Sequence, residues 1–210
     1  LASKDSPIIV DESRPPSHGH DEVLIAVQAS ALNHRDVWIS KGMYAKIQYP
    51  VIPGSDGAGI VISSASKHLP DGSRVLINPK INWGENAAIQ SSQYEILGMP
   101  SQGTMAEMIS VPAHRVHPIP EHLTFKQAAA LPLAGLTAYR AIVTKGLIQS
   151  GNTVLITGIG GGVALMAMQF ALAAGAKVYV TSGTQAKIDK AIIKTNKSMT
   201  RSYRYTSVQV

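Results

Sequence analysis

The sequence predicts an α/β protein in two parts, a β-rich unit up to Pro120 and the opening of a parallel-sheet unit after it. Three observations predict it. Before Pro120 the chain holds short β-branched runs, "EVLIAVQAS", "GAGIVIS", "SRVLIN" and "TMAEMISV", separated by turn pairs such as Asp71-Gly72. After Pro118-Ile119-Pro120 it turns alanine-rich. Past residue 150 it reads "TVLIT", "GIGGG", "VALMAMQFALAAGA", "KVYVTS", the order strand, glycine turn, helix, strand. A right-handed crossover makes those two strands parallel neighbours. The expected domains are therefore residues 1–120 and 121–210.

Each element has a local cause. The β runs are bounded by glycine, proline and asparagine, as half-buried strands joined by turns require. Thr124-Phe-Lys-Gln127 has the S/T-x-x-Q form of a capping box and opens a helix that continues into "ALPLAGLTAYRAIVTKGL". Pro132 has no amide hydrogen, so it is expected to kink or divide that helix. A further helix is expected after "KVYVTS", with Lys187 on its first turn. From Ile192 the chain reads "IIKTNKSMTRSYRYTSVQV", polar and basic with no turn chemistry or clear period, and a mobile tail is expected.

The 45% apolar content over 210 residues suits a soluble globular protein. The longest mostly apolar stretch, residues 163–176, contains Gln169 and is too short and interrupted to span a bilayer. Neither a membrane segment nor a signal peptide is expected. The absence of cysteine excludes disulfides, thiolate zinc sites and cysteine nucleophiles, and favours a cytoplasmic setting. The formal charge of +6 is concentrated in residues 183–210, where Lys187, Lys190, Lys194, Lys197, Arg201 and Arg204 face one acid, Asp189. A folded basic face is not indicated, and no nucleic-acid partner is expected.

The glycine turn is the most informative motif. A helix that starts directly after a strand has free N–H groups and the positive end of its dipole at that turn, a seat for a pyrophosphate that small residues let the ligand approach. The strict G-x-G-x-x-G spacing fails, because Gly158 and Gly160 are in place but Val163 stands at the third position. The alternative Gly158-x-x-Gly161-x-Val163-Ala164 fits, with Gly162 inside it. Such turns also serve tight packing alone. A dinucleotide site needs a residue for the adenosine ribose about 20 positions on. There "KVYV" ends at Thr181-Ser182-Gly183 with no acid, while Ser182 and Thr184 can donate to a phosphate and Lys187 can supply charge. These residue types favour NADP(H) over NAD.

Several segments in order, "ALNHRDVWISKGMY", "PVIPGSDGAGIV", "GTMAEMISVP", "AAALPLAGLTAYRAI" and the glycine turn, resemble the medium-chain dehydrogenase/reductase superfamily in its zinc-free, quinone-oxidoreductase-like branch, over residues 22–190. The resemblance implies a GroES-like β domain followed by a Rossmann cofactor domain, with the active site in the cleft between them. In the zinc-dependent branch a cysteine ligand stands where this chain has Asn33, and a histidine–glutamate pair where it has Ser55-Asp56. No metal site is expected. The family's structural zinc lobe uses four cysteines, and "NPKINWGENAAIQSSQYEILGMP" has none.

The same resemblance implies roles for single residues. Asn33 would lie near the nicotinamide and the substrate oxygen, Tyr44 near the pocket mouth, and Asp36 behind them as an organiser. His34 aligns with a position near the cofactor phosphates, and Thr137 of "GLTAY" with the nicotinamide side. No residue stands out as a general acid, which suits a quinone or an α,β-unsaturated carbonyl substrate better than an alcohol. The family's sheet has about six strands, and the sequence offers two, so a truncated, incomplete Rossmann domain is expected. A catalytically inactive remnant and a binder of acidic partners stay open as other readings. Intact relatives are expected to be homo-oligomers.

Overall fold

The computed structural model describes residues 1–194 and 201–204 other than 4, 5, 7, 8, 13 and 14, with backbone alone at 193, 194 and 201–204. It divides into two compact units, Leu1–Leu133 and Ala134–Val210.

Among the described residues the first unit holds a five-stranded antiparallel sheet in the order β6-β1-β2-β3-β7. Its strands are β1 (Glu22–Ala31), β2 (Asp56–Ser64), β3 (Arg74–Ile77), β6 (Met108–Pro112) and β7 (Val116–Pro118). Alternation works as the period of two demands: in β1, Val23 and Ile25 are buried and meet Val61, Val75, Ile109 and Val111 in one core. Between β3 and β6 the short strands β4 (Lys80–Ile81) and β5 (Glu95–Ile96) pair with each other, holding the cysteine-free lobe. Helix α1 (His34–Ser40) leaves the end of β1 and buries Arg35 and Ile39.

The Thr124 capping box forms: Gln127 N donates to Thr124 Oγ1 at 3.3 Å and Thr124 N donates to the Gln127 carboxamide oxygen at 2.9 Å. It starts α2 (Phe125–Ala129), and Pro132 begins a separate α3 (Pro132–Tyr139), so the proline divides the helical run as expected. Ala128 and Ala129 pack with Ala58 and Ile119, which draws α2 onto the sheet. The contact boundary therefore lies beyond the composition break at Pro120.

In the second unit β8 (Thr153–Ile156), α4 (Gly162–Ala173) and β9 (Lys177–Ser182) form the expected βαβ unit, with β8 and β9 parallel and Val154 opposite Val178. Met168 and Ala171 of α4, Val178 and Val180 of β9 and Ile188 of α5 (Gln185–Lys194) share one core. The structure corrects the reading of the tail at one place. Residues Arg201–Arg204 form a third strand, β10, parallel to β9 with Tyr203 opposite Thr181. Strand pairing uses backbone groups that every residue carries, so "RSYR" joins the sheet without a side-chain pattern to announce it. Lys197, counted with the basic tail, lies outside the described residues. No described helix is long and apolar enough to cross a membrane.

Candidate functional site

In the first unit the site residues gather around Arg35. Arg35 and Ile39 are one helical turn apart, so the face that sends Ile39 into contact with Val51 and Met99 also sends a guanidinium inward. Arg35 is 8% exposed. Its Nε donates to the Tyr44 hydroxyl at 3.2 Å, one terminal nitrogen donates to Ser55 Oγ and to the Leu97 carbonyl (2.7 Å), and the other donates to the Met99 carbonyl at 3.2 Å. The Tyr44 ring lies 4.9 Å below the guanidinium. Ser55 Oγ in turn donates to Leu97 O at 2.8 Å. The cation is thus held by neutral acceptors, each directional bond compensating part of the cost of burying it.

Asn33 caps α1. Its backbone N–H donates to Asp36 Oδ2 at 2.8 Å, and its side-chain Nδ2 donates to Asp56 Oδ2 at 2.9 Å. Asp56, 2% exposed at the start of β2, takes a second bond on Oδ1 from the Leu133 N–H at 2.9 Å, in the first turn of α3. Its backbone carbonyl accepts from Thr104 Oγ1 at 2.8 Å. Burial pushes the Asp56 carboxyl up to about 6; the bonds from Asn33 and Leu133 oppose this, the nearby Asp36 charge adds to it, and Arg35 subtracts. Burial also raises Asp36, against the Asn33 amide and the Arg35 charge.

Of the expected residues, Asn33 and Asp36 meet in the cap of α1, and Tyr44 is engaged by Arg35. His34 stands apart on the exposed side of α1, stacked on Trp38 with ring centroids 5.5 Å apart. Sequence reasoning gave Arg35 no role and treated Asp56 only as an absent ligand. The signal for Arg35 was its i, i+4 spacing from Ile39, which places a charge on the apolar face of a short helix.

In the second unit the glycine turn has the geometry its sequence implies. Gly158 has φ +67°, a left-handed conformation that glycine adopts without strain, and a side chain there would meet nothing within 4 Å. Ile159 is buried in the core, and its N–H donates to Thr181 O at 3.0 Å, tying the turn to the end of β9. Gly161 is the extended N-cap of α4, followed by Gly162 and an exposed Val163. Gly160 is needed for a different reason. A Cβ on it would stand 2.7 Å from Lys187 Cδ and 3.3 Å from its Nζ, so the lysine of α5 lies across the turn.

The residues after β9 divide. Ser182 is 3% exposed, and its Oγ accepts from Thr184 N at 3.4 Å. The hydroxyl expected to reach a phosphate points inward instead, because the strand's alternation buries every second residue and Ser182 shares the face of Val178 and Val180. Thr184 and Lys187 are exposed, as is Thr137 on α3.

Residues 19–121 match the family of the alcohol dehydrogenase GroES-like domain. The chain is 36% identical over 198 residues to the zinc-type alcohol dehydrogenase-like protein YogA of Leptosphaeria maculans, a match covering 88% of this chain and 55% of the relative. It is 34% identical over 167 residues to human quinone oxidoreductase, covering 78% of this chain and 45% of that protein. The chain spans about half the length of these relatives. A crystal structure of an NAD-dependent alcohol dehydrogenase superposes with a TM-score of 0.88 at 32% identity, covering 99% of this chain and 62% of that one. With the five ordered motifs and the folded βαβ unit, these likenesses show a GroES-like domain and a partial Rossmann-like part whose homologues are zinc-type alcohol dehydrogenase-like proteins and quinone oxidoreductases of the medium-chain dehydrogenase/reductase superfamily.

Proposed function

We propose that the protein works as a zinc-independent oxidoreductase that uses NADP(H) to reduce a quinone or an α,β-unsaturated carbonyl compound. The observation that carries this reading is the buried Arg35 guanidinium bonded to Ser55. A zinc ion needs three good donors at bonding distance. Asn33 and Ser55 offer only neutral oxygens, Ser55 accepts from the Arg35 guanidinium and spends its proton on Leu97 O, and a fixed cation on Ser55 opposes a second one. The donor set does not fit zinc, and no step is derived through it.

The glycine turn does fit a pyrophosphate. Gly158, Gly160, Gly161, Gly162 and Val163 would line it, with the first amides of α4 as donors. Thr184 and Lys187 would face the adenosine ribose, where the lack of an acid favours a 2′-phosphate. His34 and Thr137 are the residues we assign to the phosphates and the nicotinamide side. The dependence on NAD named for one structural neighbour belongs to that protein.

When bound, the nicotinamide supplies the hydride. The chain supplies donors for the oxygen on which charge then develops. Asn33 gives one N–H to Asp56 and keeps its second for a ligand. Tyr44 accepts from Arg35 through its oxygen, which leaves its own proton to donate. Conjugate addition delocalises the charge, and solvent completes the protonation. Asp36 fixes Asn33 through the helix cap. A cytoplasmic setting and action on a small molecule belong to the same reading.

The test is metal analysis of the purified protein, titration with NADPH and NADH, and turnover of a quinone with and without chelator. Zinc well below one per chain, tighter NADPH binding and chelator-insensitive turnover are expected. Stoichiometric zinc whose removal abolishes turnover overturns the proposal. A second reading, a catalytically inactive remnant with weak or no cofactor binding, is favoured by Leu155, 61% exposed on β8, which pairs only with β9 among the described residues. Weak or absent NADPH binding together with no turnover on any quinone or enone would select it.

A further inference from the structure

We infer that Asp56 is the positioning residue of the first unit's site: as a carboxylate it holds the Asn33 carboxamide in place, and on taking up a proton it releases that side chain while keeping α3. The inference rests on the reading above that Asn33 faces the ligand.

The geometry leaves little choice. Both oxygens of Asp56 accept from N–H groups, Oδ2 from Asn33 Nδ2 and Oδ1 from Leu133 N. A carboxylate has acceptor capacity for both, whereas a carboxylic acid must carry a hydrogen on one oxygen. Two donors then face one hydrogen and one good acceptor, so one of the bonds weakens. The Leu133 amide is fixed by the backbone at the first turn of α3, while the Asn33 carboxamide hangs on rotatable side-chain bonds. The side chain yields.

The charged groups that bear on Asp56 are Asp36, which favours its protonation, and Arg35, which opposes it. Its proton balance is set first by burial, which favours the acid, then by the bonds from Asn33 and Leu133, which favour the carboxylate, and last by these two charges. His34, the remaining titratable residue of α1, is exposed and stacked on Trp38. Burial places the transition of Asp56 at about 6, inside the range where cells and assays operate. The proposed consequence is a site that presents Asn33 above that pH and loosens it below.

The experiment is a pH titration of the Asn33 side-chain NH2 resonances in the ¹⁵N-labelled chain, identified by their disappearance in Asn33→Ser. In the wild type the pair should move with a midpoint near pH 6 and lose its well-dispersed shifts below it. Asp36→Asn should retain the movement, and Asp56→Asn should abolish it. No movement between pH 5 and 8 in the wild type, or the same titration in Asp56→Asn, overturns the inference. The wild-type measurement stands even if the variant does not fold. It also needs neither cofactor nor turnover, so a failed oxidoreductase assay and a silent Asn33 are separate results. In an active protein, the acid limb of kcat/KM should follow the same midpoint and vanish in Asp56→Asn.

Discussion

Replacing Asp56 by asparagine should remove part of the pH dependence of the first unit's stability. The carboxyl sits at about 6 in the fold against an ordinary 3.8, so the folded chain binds this proton more tightly than the unfolded chain. The stability that follows is fully present below the unfolded value, declines as pH rises between the two values and is gone above about 6. The gap corresponds to about 3 kcal/mol as an order of magnitude. At pH 7 the asparagine escapes the cost of a buried charge, but its NH2 meets one of two donors, which returns about 1 kcal/mol. The variant should therefore be more stable than the wild type at pH 7, by up to about 2 kcal/mol, and no more stable at pH 4.5. Urea unfolding followed by tryptophan fluorescence reads this unit selectively, because the chain's two tryptophans, Trp38 and Trp83, both lie in Leu1–Leu133. Asp36 is raised in the same direction and is present in both proteins, so the difference between the curves isolates Asp56. Parallel stability curves from pH 4.5 to 7.5 would refute the reasoning.

Three further outcomes follow from the second unit and from Arg35. Lys187→Ala should weaken NADPH binding about ten- to a hundredfold and leave NADH nearly unchanged, read by fluorescence titration; equal losses would make Lys187 a contact for both cofactors. Gly160→Ala places a methyl 2.7 Å from Lys187 Cδ, so the lysine swings away, and the alanine should cost less NADPH affinity in the Lys187→Ala background than alone. Arg35→Met removes the donors that satisfy Met99 O and Tyr44, and should destabilise the first unit by roughly 2–4 kcal/mol, with Arg35→Lys intermediate because one ammonium cannot reach all the acceptors. A loss under about 0.5 kcal/mol for Arg35→Met would show that the guanidinium is not held as described.

The strands and caps of this chain were legible because their causes are local. Alternation in "EVLIAV", the Thr124-Gln127 box and the break at Pro132 each depend on residues a few positions apart, and each forms. β10 was not legible, since a strand at the edge of a parallel sheet is specified by the backbone of β9 rather than by its own side chains. The division at Leu133 has a related, non-local cause. Ala128 and Ala129 look like the start of an independent helical region, but their small side chains fit against Ala58 and Ile119, and that contact is non-local.

The site shows the same division at finer grain. The glycine turn could be read residue by residue because a strand, a sharp turn and a helix N-terminus are consecutive in sequence. The direction of Ser182 is also legible, from its parity with Val178 and Val180, whereas its distance from the glycine turn and its hydroxyl alone point to a phosphate. Asn33, Ser55 and Asp56 were noticed as absences of zinc ligands. What they do instead depends on a buried guanidinium from one turn of helix and an amide from Leu133, 77 residues beyond Asp56. Directional hydrogen bonds around a fixed positive charge and a buried carboxylate tie those elements, and in the inference drawn above this arrangement responds to pH through Asp56.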